Sequence, residues 1–406
     1  MERFEVLCPA VQFPNQRLEA KHSQSALGRP LNFILVSTYP PTECGLATYT
    51  ANLRGALQGS GAFVRVIRML DSRESSLTAN REVVAVWRRN DSHGLDAAIS
   101  ATCDCDVVII QHDFGIYPGK DGEDLLDFVN GCDRPIVTVL HTVLEDPSPN
   151  QARIVEGLAR RSGRLVIHTA AARDRLLAVY DLDPELVHVI PHGAAPNITG
   201  ERSIVAAEPL MLTWGLLGPG KGIEYGIEAV AILRDQGLDV RYVVAGATHP
   251  NVYANDGERY REQLYELARE RGVADLVVFD GAYRDWASLQ AIVRSASIVL
   301  LPYDSKAQVT SGVLVEALAA GKPVVATAFS HAIELTRTGA VAVIDRGSAD
   351  SCARIIARIV TDSGLRTMME NAARIEGARY DWSAVARRYT VLARASQQRP
   401  IPVLTT

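Results

Sequence analysis

The sequence predicts an α/β protein built from two doubly wound domains, each with a parallel sheet covered by helices on both faces. Short apolar runs alternate with longer segments of helical periodicity, which is the pattern of parallel βαβ units with right-handed crossovers. The pattern occurs twice along the 406 residues. A stretch rich in Pro, Gly and small polar residues separates the two series and predicts a linker.

The apolar runs have the length and composition of strands that are buried on both faces. In the first series they are NFILV near residue 32, FVRVI near 63, EVVAV near 82, DVVIIQ near 106, PIVTVL near 135, RLVIH near 164 and LVHVI near 186. In the second they are LMLTW near 210, VRYVVAG near 240, LVVFDG near 276, SIVLLP near 297, PVVAT near 323 and VAVID near 341.

The linker PHGAAPNITGERSIVAAEP sets the predicted domain boundary at residue 200. The chain then divides into a polar N-terminal extension, two domains and a last segment. Their predicted bounds are 1–30, 31–200, 201–378 and 379–406. The last segment contains a helical pattern that begins at Trp382, after the second sheet is complete, and we expect this helix to cross back onto the first domain.

Composition argues against several classes of protein. The chain has 42 basic and 47 acidic residues, a net charge of −5, and no long Lys/Arg run, so no nucleic-acid partner is expected. Its six cysteines form no paired CxxC set and no Cys/His cluster at zinc spacing, as in a reduced cytosolic protein. Because no apolar run has the length of a signal peptide or a membrane span, we expect a cytoplasmic chain, with its oligomeric state open.

Candidate site residues of the first domain follow its strands, because ligands of parallel sheets bind at the carboxyl ends of the strands. Gly45 ends the loop after the first strand and begins a helix, where it either lets a phosphate or sugar approach the backbone or only supplies a turn. His112 and Asp113 follow DVVIIQ, and His141 follows PIVTVL. Two histidines at equivalent strand ends favour a site over satisfied core histidines.

The loop from Gly215 to Gly222 opens a helix of the second domain and contains Gly218 and Lys221. A glycine-rich loop with a lysine at a helix start is typical of a phosphate site. The loop nearly matches the nucleoside-triphosphatase pattern GxxxxGK[ST], but Gly222 stands where that pattern needs a Mg²⁺-binding hydroxyl. We therefore expect a phosphate contact without triphosphatase activity. A solvated lysine in a Gly-rich turn is the alternative.

Thr310, Ser311 and Gly312 start another helix, after a strand that ends at Pro302. Backbone N–H groups and hydroxyls at this helix start predict a diphosphate site. Glu316 follows one helical turn later, where it could reach a ribose hydroxyl pair. The alternative is an ordinary glutamate on the helix surface, although its apolar neighbours predict partial burial.

Asp104 and Asp106 have the DxD spacing that metal-dependent nucleotide-sugar enzymes use to bind a divalent cation. They precede the strand DVVII and therefore lie at the edge opposite the expected ligand site. We expect a strand-start role for them and no metal site in the chain.

In the glycine-rich loops, strand ends and helix starts described above, the chain resembles the retaining glycosyltransferases of family 4, which have the GT-B fold of two Rossmann-like domains facing a cleft. The resemblance spans nearly the whole chain. It rests on CGLATYT, QHDFGIY, LHT, IPHG, GPGKGIEYGIEA and QVTSGVLVEALAAGKPVVAT.

The resemblance implies roles for the matching residues of this chain. Gly45 is similar to the glycine near the donor diphosphate, and His141 to the histidine that contacts the donor sugar. Lys221 is similar to the lysine that neutralises the diphosphate, which Gly218 and the helix start at Thr310, Ser311 and Gly312 also bind. Glu316 is similar to the glutamate of the ribose site, and His112 and Asp113 would face the acceptor.

Two departures from the family pattern bear on catalysis. Gln308 stands where the family has the first glutamate of an E-x7-E pattern, which contacts the donor sugar. A glutamine still bonds sugar hydroxyls, so we expect Gln308 to remain a catalytic-site residue. The family also has an arginine shortly before its lysine, whereas this chain reads Gly215-Leu216-Leu217-Gly218.

The resemblance implies transfer of a sugar from a nucleoside-diphosphate sugar to a hydroxyl acceptor, with retention, without a metal and without a further cofactor. A sugar phosphorylase or nucleotide-sugar epimerase of the same fold, a catalytically weak sugar-nucleotide-binding protein and a P-loop triphosphatase are the alternatives. A peripheral membrane contact at Glu82 to Arg89 competes with a plain sheet strand. The nucleobase, the sugar and the acceptor stay open.

Overall fold

The computed structural model describes residues 29–70, 81–88, 91–197, 208–281, 286–304 and 310–398. Thirteen strands lie within these ranges. Their bounds are β1 Asn32–Ser37, β2 Phe63–Leu70, β3 Val83–Arg88, β4 Val107–His112, β5 Ile136–Leu140, β6 Arg164–Ile167, β7 Val187–Val189, β8 Leu210–Trp214, β9 Arg241–Ala245, β10 Val277–Asp280, β11 Ile298–Leu301, β12 Val324–Thr327 and β13 Val341–Ile344.

Fourteen α-helices lie in the same ranges and connect or follow the strands. They are α1 Gly45–Gly59, α2 Ser92–Ala101, α3 Leu125–Gly131, α4 Pro149–Arg161, α5 Ala170–Val179, α6 Ile223–Asp235, α7 Pro250–Asp256, α8 Arg259–Glu270, α9 Trp286–Ser295, α10 Gly312–Ala319, α11 Ser330–Thr336, α12 Ala349–Thr361, α13 Ser363–Gly377 and α14 Trp382–Gln397.

The strands form two fully parallel sheets, which confirms the predicted fold class. The first has the order β3-β2-β1-β4-β5-β6-β7, and the second β10-β9-β8-β11-β12-β13. Each of the predicted apolar runs is a strand. The predicted domain boundary at residue 200 falls outside the described residues and stays a prediction.

Each sheet has one position where the connections turn in opposite directions. In the first sheet β1 pairs with β2 and with β4, and in the second β8 pairs with β9 and with β11. The loops that follow these central strands diverge, and a crevice opens between them at the carboxyl edge. The topology therefore places the loops after β1, β4, β8 and β11 where a ligand can bind.

Successive residues of the first sheet face opposite layers of helices. Phe33 and Leu35 pack with α1 and α14, whereas Ile34 and Val36 pack on the other face with α3. All four side chains are completely buried. Burial on both faces explains why these strands are apolar throughout instead of alternating.

The C-terminal helix α14 crosses back onto the first sheet, as predicted. Its apolar face joins the core of α1, and the Tyr389 hydroxyl lies 3.0 Å from the hydroxyl of Tyr49. The return is anchored where Ala194 N–H donates to the carbonyl of Tyr380 at 2.7 Å. The last segment of the chain therefore helps to hold the two halves together.

Two further predictions concern the first domain. The residues Val83–Arg88 form a strand, so the plain-strand interpretation of this segment is confirmed up to Arg88. The Asp106 carboxylate accepts from the backbone N–H of Asn32 at 2.9 Å, at the amino edge of the sheet.

None of the helices within the described ranges combines the length and apolar character of a membrane span.

Candidate active site

A cavity of about 880 Å³ opens between the carboxyl edges of the two sheets. Its lining comes chiefly from the loops after β1, β4, β5, β6, β7, β8 and β9 and from the start of α10. The predicted site residues on this lining are Gly45, Asp113, His141, Lys221, Thr310, Gly312 and Glu316. The structure thus gathers candidates from both halves of the chain around one cleft. Gln308 lies outside the described residues.

His112 does not line the cleft, contrary to the prediction. It is completely buried, its ring lies edge-on to Phe114, and neither ring nitrogen has a hydrogen-bond partner. Burial lowers the pKa of His112 to about 4. The reason is the strand period of two: Gln111 and Asp113 point to one side of the sheet edge, and His112 points to the other.

Gly218 and Ser311 also do not line the cleft and build its walls instead. The Ser311 hydroxyl accepts from the backbone N–H of Leu314 at 3.2 Å and so caps α10. The Gly218 carbonyl accepts from the N–H of Lys221 at 3.2 Å, which closes the turn before α6. Both residues therefore shape the predicted phosphate site without facing the cavity.

Lys221 is held at the cleft by a tight loop. Gly222 has φ of 68°, and a side chain there would place its Cβ 1.9 Å from the carbonyl oxygen of Pro302. Only glycine fits, because the loop after β8 presses against the end of β11. The Lys221 ammonium then lies 4.7 Å from the centre of the Tyr303 ring, a cation–π contact.

Glu316 faces the cleft beside Trp214, a residue that the sequence did not single out. Trp214 ends β8, and its indole N–H donates to Glu316 Oε2 at 3.2 Å. Removal from bulk solvent raises the pKa of Glu316 to about 7, against the smaller effect of this hydrogen bond. The carboxyl group can therefore titrate near neutral pH.

His141 lies in a cluster of aromatic rings with Tyr49, His168 and His192. Its Nε2 donates to the side-chain oxygen of Gln111 at 2.8 Å, and its ring centre lies 4.8 Å from that of His168. Burial, followed by the neighbouring imidazoles, holds the pKa of His141 well below its usual value. The neutral ring can accept one hydrogen bond at Nδ1.

His168 and His192 also line the cleft, although they were not predicted as site residues. The Nδ1–H groups of these rings donate to the backbone carbonyls of Ile190 and Gly193, at 3.0 and 2.8 Å. The Nε2 atoms therefore keep their lone pairs. Both histidines follow apolar runs, RLVIH and LVHVIPH, so the signal that identified His141 could have found them too.

His192 packs over the first residue of α10. A Cβ on Gly312 would lie 3.1 Å from His192 Nε2, so the helix start comes close to the imidazole. His192 precedes the linker and Gly312 follows β11, and the contact therefore joins the two halves of the chain at the lining of the cleft.

His249 is a further cleft residue that sequence reasoning missed. It lies in the loop after β9, and no expected motif covers that loop.

Within the described parts of the chain, no group of three or more His, Cys, Asp or Glu side chains is arranged to hold a metal ion.

Comparison with known proteins agrees with this geometry. The family model described as glycosyl transferases group 1 matches residues 197–376. The D-inositol 3-phosphate glycosyltransferase of Actinosynnema mirum is 30% identical over 290 residues, which cover 66% of this chain and 68% of the relative. The chain belongs to the group 1 glycosyltransferases. An alpha-D-kanosaminyltransferase of Streptomyces kanamyceticus is 26% identical over 62% of this chain and 68% of its own length.

A solved structure supports the GT-B assignment of this group 1 glycosyltransferase. The Anabaena protein HepE, crystallised in complex with UDP, superposes with a TM-score of 0.73 over 90% of this chain and 100% of its own. The two sequences are 18% identical, so the likeness shows the fold alone. Two Rossmann-like sheets facing a cleft are therefore common to both.

Proposed function

We propose that the chain transfers a sugar from a nucleoside-diphosphate sugar to a hydroxyl acceptor, with retention of anomeric configuration. The observation that carries the proposal is the convergence of Lys221, the start of α10 and Glu316 on one wall of the cleft, opposite Gly45 and His141. The first wall offers groups for a diphosphate and a ribose. The second offers polar groups to a sugar and an acceptor.

Stabilisation of the leaving group is the main task of the donor wall. As the glycosidic bond breaks, negative charge builds on the diphosphate. The Lys221 ammonium, the Thr310 hydroxyl and the positive end of the α10 dipole at Gly312 meet that charge. Glu316 lies one turn further along α10 and, in this proposal, binds the ribose hydroxyls.

Retention follows in this proposal from a reaction on one face of the donor sugar. The leaving phosphate takes the acceptor proton while the acceptor oxygen bonds the anomeric carbon.

On the first-domain wall, the two carboxylate oxygens of Asp113 accept from Thr142 Oγ1 at 2.7 Å and from Gly115 N–H at 3.1 Å. Because both oxygens are engaged, Asp113 is better suited to holding the acceptor loop than to attacking the donor.

We propose that the reaction needs no metal, because Lys221 and the helix start supply the positive potential that a cation would provide. Activity should persist in EDTA. Loss of transfer in EDTA that Mg²⁺ or Mn²⁺ restores would contradict this part of the proposal.

UDP-glucose is the first donor to test, because HepE binds UDP in a structure of the same fold. The protein is incubated with UDP-, GDP- and ADP-sugars and a panel of hydroxyl acceptors, and the anomeric protons of the products are followed by NMR. A new glycoside with the donor's configuration supports the proposal. A sugar 1-phosphate formed from a glycoside and added inorganic phosphate, an epimerised donor or binding without turnover would instead support a phosphorylase, an epimerase or a sugar-nucleotide-binding protein.

A further inference from the structure

The charge of the cleft does not match a diphosphate if Lys221 is the sole cation. Among the described residues that line the cavity, Lys221 is the one lysine or arginine, and three carboxyl groups, Glu43, Asp113 and Glu316, share the lining. A nucleoside diphosphate carries more negative charge than a single ammonium group balances. A second donor on the same wall would supply the missing interaction.

His249 stands next to Lys221 on that wall. The loop after β9 runs beside the loop after β8: Leu217 N–H donates to the Ala247 carbonyl at 2.9 Å, and His249 N–H donates to the Leu217 carbonyl at 2.8 Å. Partial burial and the Lys221 ammonium both lower the pKa of His249, so the two side chains share one electrostatic environment. A neutral imidazole still offers one N–H to an anion.

The loop that carries His249 is braced on its far side. Arg261 of α8 is buried, and its guanidinium donates to the carbonyl of Gly246 at 2.6 Å and to Glu258 at 3.1 Å. The Thr248 hydroxyl donates to the same Glu258 carboxylate. These bonds fix the part of the loop that leads into His249, and a fixed donor loses little entropy when it binds a ligand.

We propose that His249 is a second diphosphate-binding residue, which holds the donor together with Lys221. This inference rests on the proposed function, because it assigns a further residue to the same donor site. The imidazole donates a hydrogen bond to a phosphate oxygen, and the negative ligand favours a second proton on the ring. Among the described residues, Lys221 acts electrostatically on His249, and Glu258 and Arg261, which brace the loop, pair with each other.

The test compares UDP, UMP and uridine in calorimetric titrations of the wild type, His249→Ala, His249→Lys and Lys221→Ala. His188→Ala is the matched control, because His188 is half-buried on β7 and does not line the cleft. We expect His249→Ala to weaken UDP binding about tenfold or more, the effect of losing a charge-assisted hydrogen bond, and to leave uridine binding unchanged. His249→Lys should recover most of the affinity.

Two results would overturn the inference alone. One is unchanged UDP affinity in His249→Ala while Lys221→Ala weakens binding, which would confine the diphosphate to Lys221 and α10. The other is an equal loss of UDP and uridine affinity, which would mean that His249 only supports the loop. If the wild type binds none of UDP, GDP and ADP, the proposed function itself fails; if it prefers GDP or ADP, the same series is measured with that nucleotide.

Discussion

The ammonium group of Lys221 lies over the ring of Tyr303, 4.7 Å from its centre. Tyr303 is buried, its carbonyl accepts from Thr327 Oγ1 at 2.7 Å, and its hydroxyl lies 3.4 Å from the Ser311 hydroxyl that caps α10. One side chain therefore sets the position of the lysine and supports the helix start, so the two parts of the donor site are built as a unit.

Replacing the Tyr303 ring should weaken donor binding. In Tyr303→Leu the side chain remains apolar but loses the ring face, so Lys221 loses an interaction of about 0.5–2 kcal/mol that fixes its position. We expect a rise in the Kd of the nucleoside diphosphate of about two- to thirtyfold, measured by calorimetry. Tyr303→Phe is the control, because it keeps the ring and removes only the hydroxyl; equal weakening in both variants would assign the effect to Ser311 instead.

Replacing His112 should change stability without changing transfer. The folded-state pKa of His112 is about 4, below the unfolded value of about 6.5, so the unfolded chain binds more protons between these values. His112 therefore lowers the free energy of unfolding as the pH falls from about 6.5 to 4, by roughly 2–3 kcal/mol.

His112→Phe removes this penalty and keeps the size of the ring. In urea titrations we expect the free energy of unfolding of the variant minus that of the wild type to be larger at pH 5 than at pH 8. The values of kcat and KM should stay unchanged. A large loss of transfer activity would return His112 to the site and contradict its placement.

The fold could be predicted because each buried strand of a parallel sheet is a continuous apolar run in the sequence. Each of the predicted runs forms a strand in the structure. Ligands of parallel sheets bind at the carboxyl ends of the strands, and this rule likewise predicted that His141, Lys221 and Glu316 lie at the cleft, because it depends only on where a strand ends. It failed at His112 because a run apolar on both faces carries no alternation that would tell which way the next side chain points.

Other site residues could not be predicted because their signal is a contact between distant parts of the chain. Tyr303 belongs to the site because its ring contacts the Lys221 ammonium, and Trp214 because its indole N–H donates to Glu316. His249 belongs to the site through the pairing of its loop with Leu217. No spacing within one segment encodes these contacts, which arise when the loops of β8, β9 and β11 meet at one edge.

Gln308 is the predicted donor-sugar residue that lies outside the described residues, and kinetics can test it. Its amide would bond sugar hydroxyls, so Gln308→Ala should lower kcat/KM for transfer about tenfold or more while the Kd of the nucleoside diphosphate stays unchanged. Gln308→Glu restores the carboxylate of the family pattern and should remain active. Wild-type kinetics in both variants would show that Gln308 does not contact the donor sugar.

Glu316 should make the protein less stable as the pH rises toward neutrality. Its folded-state pKa is about 7, above the ordinary value of 4.5 for an exposed glutamate, so the folded chain binds more protons between these values. The stability of the neutral carboxyl is fully present below pH 4.5 and is lost as the pH rises through about 7. Because Glu316 borders the cleft and is partly solvated, we expect a loss of about 1–3 kcal/mol.

Glu316→Gln isolates this effect from that of the buried histidines, which act in the opposite direction below pH 6.5. The amide keeps an oxygen that accepts from Trp214 Nε1 and carries no charge at any pH. The free energy of unfolding of the variant minus that of the wild type should therefore grow between pH 5 and pH 8 in urea titrations. A difference that stays constant over this range would mean that the Glu316 carboxyl is already ionised at pH 5, and its contact with Trp214 would then be that of a charged group throughout.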